Sequence, residues 1–505
     1  MHEEDQESVS DERELKSRKE HANAFTECSQ CRQPGSEALV MEGAEVVKLG
    51  APVIGSLALQ MGLSFTIFLA AREKGPAALA GLGLGSMYVN VTGTSLLMGL
   101  SSALETLAAH FHGAQQPRQV SLALQRAMLV LAAASIPIAF LWWSAPDILQ
   151  LLGVEWEVAR LAGRFCRFML IGLPSMGVLE ALRKYLQAQG IMKPFVYASL
   201  AANVVHLVGC WLLVTKDVLG LGVASAALSL SLAYYVSLLI VLAACKVHGL
   251  HKPTWHGWDR ECLLHLDEFL KLALSGVGMI CLEWWCFEIV TLGAAQLGTT
   301  VIAAQTIMFN TTELSFMVSL GLSAAVSARV GNALVSSLVT VAICCLISGL
   351  LSVVLFVFRE QWAKSFSCDE EVWQLIASVI PIQASFLILD SLCGVLGGIL
   401  RGCGKQHIGF LFNILSYYVI ALPAGILLTF KEGLGLHGMW IGLAFGSATQ
   451  VLGVGFVLLR KDWNATARAA QDRIARHSIS EEDCAKGLQG SSDRLDLLAN
   501  MQEQV

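Results

Sequence analysis

The chain has 505 residues, of which 55% are hydrophobic and only 15% charged; its net charge is −6 and its mean hydropathy +0.60. Soluble domains carry about 25% charged residues, so a string of soluble enzymes or binding modules is excluded. The charge crowds into residues 1–48 and 460–505, and the small net value, set by those ends, gives no reason to expect a nucleic-acid partner.

Residues 1–48 read as a cytosolic N-terminal tail. They lack an apolar leader core, so no cleaved signal peptide is expected. Their one CxxC, Cys28 with Cys31, falls short of the two pairs or added histidines that zinc sites use, so no metal is expected, and no cofactor. Spans follow at 50–71, 79–104, 121–143, 165–186, 194–215 and 220–245. Each is long enough to cross ~30 Å of hydrocarbon as a helix, and together they form a first lobe, 49–246. A polar inter-lobe loop at 247–268, expected in the cytosol, precedes spans at 269–297, 300–324, 335–358, 372–400, 408–430 and 434–459, a second lobe covering 269–460. Residues 461–505 form a C-terminal cytosolic tail. The expected fold is an all-α polytopic membrane protein with twelve transmembrane helices in two pseudo-symmetric six-helix lobes, acting as a monomer in the lipid bilayer.

Twelve spans put both termini on one side. Lys and Arg favour cytosolic loops, and the loops on the side of the termini hold Arg118, Lys184, Lys246, Lys252, Arg401 and Lys405 among others. The opposite loops have fewer cations, diluted by acids as in "SFSCDEEV" (365–372). Both termini are expected in the cytosol. The lobes also repeat each other: "GLSSAL" (99–104) returns as "GLSAAV" (321–326), "LQAQG" (186–190) as "LRGCG" (400–404), and "GLGVA" (220–224) as "GLGLH" (433–437). The order is kept and the offsets of 222, 214 and 213 drift little. That is the mark of a duplication whose parallel copies rock about a central site.

The chemical signal is acid inside the spans. In the first lobe Glu105 and Glu180 lie near span ends, and Arg183 and Lys184 follow Glu180 at the spacing of an interfacial helix pair. In the second lobe Glu283, Glu288, Glu313 and Asp390 fall well within spans. An ionisable side chain at mid-bilayer costs roughly 2.5–3.5 kcal/mol, so four facing lipid would cost on the order of 10 kcal/mol. They must face a cavity, find partners or carry protons. A rise of about 1.5 Å per residue puts Glu283 roughly 18 Å and Asp390 roughly 16 Å from the same edge, in one layer, with Glu288 and Glu313 in a second, deeper layer. No Lys or Arg lies deep within these spans; Lys271 stands at the edge of the first. Burial and like-charged neighbours both favour the protonated acid, so Glu283, Glu288 and Asp390 are the expected proton- and substrate-binding residues. Trp284, Trp285 and Phe287 offer cation–π contact. His206 reads as a satisfied core residue, and His110, His112, His248 and His251 as solvated loop residues.

Five segments resemble one family: "NVTG" with "GLSSALETLAAHFHGA" (90–114), "YLQAQGIMKP" (185–194), "LEWWCFE" (282–288), "SARVGNAL" (327–334) and "GGILRGCGKQ" (397–406). They are similar to motifs of the multidrug and toxic compound extrusion (MATE) transporters, eukaryotic branch, over about residues 45–465. The resemblance implies a secondary multidrug efflux antiporter, powered by the proton gradient, that exchanges protons for organic cations and other amphiphilic drugs or metabolites by rocker-switch alternating access. It implies no enzyme activity, and a plasma-membrane location with a vacuolar or vesicular membrane as the alternative. The family acids fall on Glu283, Glu288 and Asp390, the last being commonly Glu in animal members. The family Asn of "NVTG" falls on Asn90 and an eighth-helix Gln on Gln305. Animal organic-cation members often carry Glu where this chain has Asn310, and Glu313, one turn on, is expected to replace that charge in part. The usual eighth-helix Pro is Ser319. Some bacterial relatives use a first-helix Asp; here the most polar residue of 50–71 is Gln60, which argues for coupling in the second lobe. A sodium-coupled or organic-anion (flavonoid-type) exporter of the same fold stays open. So does a lipid-oligosaccharide flippase, although that would need cations in a cavity that is expected to be acidic.

Overall fold

The computed structural model describes residues 36–460 except 72, 73, 75, 330–332 and 368; Cys28 and Cys31 lie outside them. Among the described residues the chain is helix joined by short turns, with no strand. Twelve long helices run in sequence. The first six are α1 (Ser36–Ala71), α2 (76–113), α3 (Pro117–Trp143), α4 (Trp156–Ala188), α5 (Lys193–Thr215) and α6 (Ala226–Val247). The second six are α7 (Leu266–Ala295), α8 (Thr299–Ala328), α9 (Ala333–Val357), α10 (Glu370–Gly402), α11 (Gln406–Lys431) and α12 (Leu436–Leu459). Ten are long and apolar enough to cross a membrane by length and composition alone. The other two are α2, broken by a π turn at Asn90–Thr94, and α8, which carries Gln305, Asn310 and Glu313.

The duplication is visible in detail. A short helix follows α3 (Ala145–Leu151) and another follows α9 (Arg359–Phe366). A π turn ends α5 (Trp211–Thr215) and another ends α11 (Leu427–Lys431). Leu346, Leu350 and Val353 on α9, with Leu452 and Phe456 on α12, are exposed. Such a surface invites aggregation in water and is at home in hydrocarbon.

Small residues let the helices close on one another, as in membrane bundles generally. A Cβ on Gly442 of α12 would lie 2.5 Å from Gly425 of α11, and one on Gly398 of α10 would lie 2.6 Å from the Ser323 carbonyl of α8. Ser319, in place of the family proline, is buried on the same α8–α10 seam, its Cβ 3.2 Å from where a Gly394 Cβ would stand.

Helix α1 begins at Ser36 rather than near residue 50. Its first turns pack on the second lobe: Val46 joins a core with Leu322, Val326, Cys344 and Val395. Glu42 receives a two-pronged bond from Arg329, both distances 2.7 Å. Further along, Val53 and Ile67 join the first lobe's core. One helix therefore belongs to both lobes.

The 247–268 segment docks on α3. Gln125 Nε2 donates to the Gly257 carbonyl at 2.7 Å and its Oε1 accepts from the Asp259 amide at 2.9 Å. Arg118 Nη2 bonds Asp259 at 2.9 Å and Glu261 at 3.0 Å. The end of the bundle that carries this segment is called the linker end below, and its opposite the far end. The Arg118 hydrogen bond, helped by the Glu261 amide, holds the Asp259 carboxyl below the usual carboxylate range. A carboxylate depressed in the folded state contributes stability that is present above its unfolded value, about 3.9, and lost as pH falls through the folded value. Hydrogen exchange of residues 255–263, with rates corrected for intrinsic pH dependence, should therefore stay flat between pH 5 and 8 and quicken below about pH 4. Arg118→Ala should raise exchange across the whole range, and a flat profile in the parent below pH 3 would remove Asp259 from the account.

Candidate functional site

Helix α7 runs from the linker end toward the far end and α10 runs back, so Glu283 and Asp390 meet from opposite directions. Asp390 is buried, 3% exposed, and in electrostatic contact with Glu283, which is half-buried. Glu283 faces the Tyr417 hydroxyl and the Asn413 amide of α11. Asn413 is itself held in place: it donates to the Met279 carbonyl and accepts from Gln450 Nε2 of α12 at 2.8 Å. Asp390 Oδ1 is buried with no hydrogen-bond partner, and the buried Tyr417 hydroxyl has only Glu283 in reach, short of full hydrogen-bond geometry. Buried polar atoms are rarely left so, and two of them beside a pair of acids make a place for a proton or a water.

Glu288, one turn and a half beyond Glu283, is in electrostatic contact with Glu313 of α8. Both are half-buried. The four acids thus form two pairs inside the second lobe, each bringing together one carboxyl of α7 with one from α8 or α10. Two carboxylates within electrostatic range repel when both are ionised, so neither pair is at ease with both members charged.

The remaining expected site residues scatter. Gln305 is fully buried and its Oε1 accepts from Trp440 Nε1 at 3.0 Å, so it faces α12. Asn90 is exposed at the π turn of α2 and Asn310 is half-buried on α8. The three aromatic residues of the α7 motif take different roles. Trp284 is half-buried. Trp285 Nε1 reaches across to the first lobe and donates to the Val91 carbonyl at 3.1 Å. Phe287 is committed to the second lobe's core against Phe309, Phe386 and Tyr417, which leaves it no face for cargo. The reason is helical phase: neighbouring residues on α7 point about 100° apart.

Two further expectations change. The acids do have a cation within reach. Arg401 closes α10, is buried, and folds back until its Nη1 lies 3.6 Å from an ideal Gly397 Cβ, in electrostatic range of Glu283. His110 is buried rather than solvated, its Nε2 2.8 Å from the Gly402 carbonyl, because α2 continues past its expected end into the second lobe's linker end. His206 sits in the core as read, bonded to the Leu63 carbonyl and the Ser229 hydroxyl. Sequence reading passed over Tyr417 and Asn413; their i, i+4 spacing in "LFNILSYYV" puts both on one face of α11 and was the available signal. Among the described residues no group of His, Cys, Asp and Glu is arranged to hold a metal ion.

The lobes meet at the linker end. Gly99 of α2 is so close to α7 that an added Cβ would sit 2.5 Å from Val277 Cα, and one on Gly276 would sit 2.6 Å from the Gly99 carbonyl. On the other side of the bundle Gly50 of α1 faces the Gly321 carbonyl of α8 at 3.4 Å by the same measure. The arrangement is closed at the linker end.

A family profile described as MatE matches residues 52–212 and again 277–427, one copy in each lobe. The chain belongs to the MatE family. It is 35% identical to Protein DETOXIFICATION 16 of Arabidopsis thaliana, over 85% of this chain and 90% of that one. It is 33% identical to Multidrug and toxin extrusion protein 2 of Mus musculus, over 87% and 78%. The solved structure of the eukaryotic MATE transporter AtDTX14 superposes with a TM-score of 0.81 at 27% identity, covering 86% of this chain and 99% of that one. As a MatE protein the chain is a multi-pass membrane transporter and not an enzyme.

Proposed function

We propose that this transporter is a proton-coupled antiporter that exports organic cations and other amphiphiles. Its linker end, rich in Lys and Arg, faces the cytosol of a cell whose plasma membrane holds it. The observation that carries the reading is the Glu283–Asp390 pair: the two acids lie in electrostatic range inside one lobe, and the buried Asp390 Oδ1 has no hydrogen-bond partner. Proton and organic cation compete for this negative charge, so each weakens the other's binding reciprocally. Glu288 and Glu313, half-buried beside Trp284 and Asn310, supply the charge and the aromatic face that an amphiphilic cation needs.

Purified protein in vesicles tests this with a tetraethylammonium or ethidium probe. One proton moving down one pH unit releases about 1.4 kcal/mol, enough for about tenfold accumulation. Accumulation should follow the imposed pH gradient at that scale and ignore a sodium gradient. Uptake that follows sodium alone would end the proton assignment.

A further inference from the structure

Arg401 links the acid pair to the seam between the lobes. On one side it faces Glu105 of α2, its Nε 3.7 Å from Glu105 Oε1; both atoms are buried and neither has a hydrogen-bond partner. Glu105 also takes a 2.7 Å ion pair from Lys184 of α4. On the other side Arg401 lies in range of Glu283. Its Nη2 is steadied by Ser323 of α8 at 2.6 Å. Around this chain of charges the backbone is clamped: Thr106 donates to the Arg401 carbonyl at 2.7 Å, Gln406 Nε2 donates to Thr106 at 2.9 Å, and His110 bonds the Gly402 carbonyl. Every one of these clamps joins α2 of the first lobe to the α10–α11 corner of the second.

We propose that Arg401 is the positioning residue that couples the acid pair to the linker-end closure: it holds the seam shut while the pair keeps a negative charge and releases it when both acids are protonated. The argument is a charge balance in a place of low dielectric. With one proton shared by Glu283 and Asp390, their single negative charge and that of Glu105 match the positive charges of Lys184 and Arg401. A second proton leaves one buried positive charge unmatched, and an unpaired buried charge is strongly unfavourable. Opening the seam lets water reach Arg401 and relieves it. The other titratable groups facing the two ends are His110 beside Arg401, and Tyr417, Cys286, Cys393 and Cys344 of α9 beside the acids; none carries a second cation to the pair. The sign is the one an antiporter requires, because the proton-loaded form turns its site toward the cytosol. The inference rests on the proton reading above.

Hydrogen exchange of residues 99–110 and 401–406 in lipid nanodiscs tests it, with rates corrected for intrinsic pH dependence. The unmutated protein should exchange at least tenfold faster at pH 5.5 than at pH 8. The Glu283→Gln/Asp390→Asn double variant, a mimic of the fully protonated pair that leaves the seam's own residues in place, should be fast at both pH values. Glu105→Gln should also be fast at both, and Glu105→Asp should restore the slow state at pH 8. The double variant with the parental pH response, or with slow exchange throughout, would overturn the coupling role of Arg401. If the vesicle experiment shows no proton-driven uptake, the functional reading fails separately, whatever the exchange data show.

Discussion

Asp390→Asn should abolish pH-gradient-driven accumulation in vesicles, taking it from about tenfold per pH unit to the level of the equilibrated probe. The substitution keeps the shape of a side chain only 3% exposed and removes its titration, so the helices should assemble as before. Glu283→Gln should have the same effect. The two carboxyls act as one unit, so the double variant should be no worse than either single one; sites in contact are non-additive. Facilitated, downhill movement of the probe should survive, because Glu288 and Glu313 still offer charge to a cation. Asp390→Asn vesicles that still accumulate probe tenfold would remove this residue from the coupling site. Glu313→Gln carries a smaller expectation of the same kind, a shifted pH profile with transport retained.

Gly276→Ala should displace the equilibrium between the two ends of the transporter without unfolding either lobe. The new methyl would stand 1.9 Å from Ser102 Oγ, 2.6 Å from the Gly99 carbonyl and 2.9 Å from Gln406 Oε1. Ser102 can rotate aside, but the Gly99 carbonyl belongs to the backbone of α2. Overpacking of this kind costs about 1–3 kcal/mol, or roughly 5- to 150-fold in an equilibrium. The penalty applies only to the state in which α2 and α7 touch, so the linker-end-open state gains by that factor. Exchange at residues 95–106 should rise accordingly and the melting temperature should move little. Gly455→Ala, with nothing within 4 Å of the added carbon, is the control and should match the parent. A Gly276→Ala protein with parental exchange would mean that the seam yields without opening.

Much of the fold was legible in the chain itself. An apolar run of about 20 residues is obliged to be a helix in lipid, because its backbone has no other hydrogen-bond partners there. Boundaries came out less well, and for a reason visible in α1 and α2. Both continue past the hydrocarbon at the linker end: Glu42 and Val46 at the start of α1, and Glu105 and His110 at the end of α2, find partners on the opposite lobe. Polar residues at a helix end read as interface when the partner lies hundreds of residues away.

Residue type and depth alone singled out Glu283, Glu288, Glu313 and Asp390, because carboxyls are too costly in lipid to be there without work to do. Depth along a helix follows from counting, since the rise per residue is fixed. Rotation about the helix axis and the identity of the neighbour do not. Only the assembled bundle decided that Glu283 pairs with Asp390 and Glu288 with Glu313. The same is true of Phe287 turning into the core while Trp285 crosses to Val91, of Gln305 answering Trp440, and of Arg401 reaching back between two acids on different lobes. Those choices belong to helix packing, which joins side chains far apart in sequence.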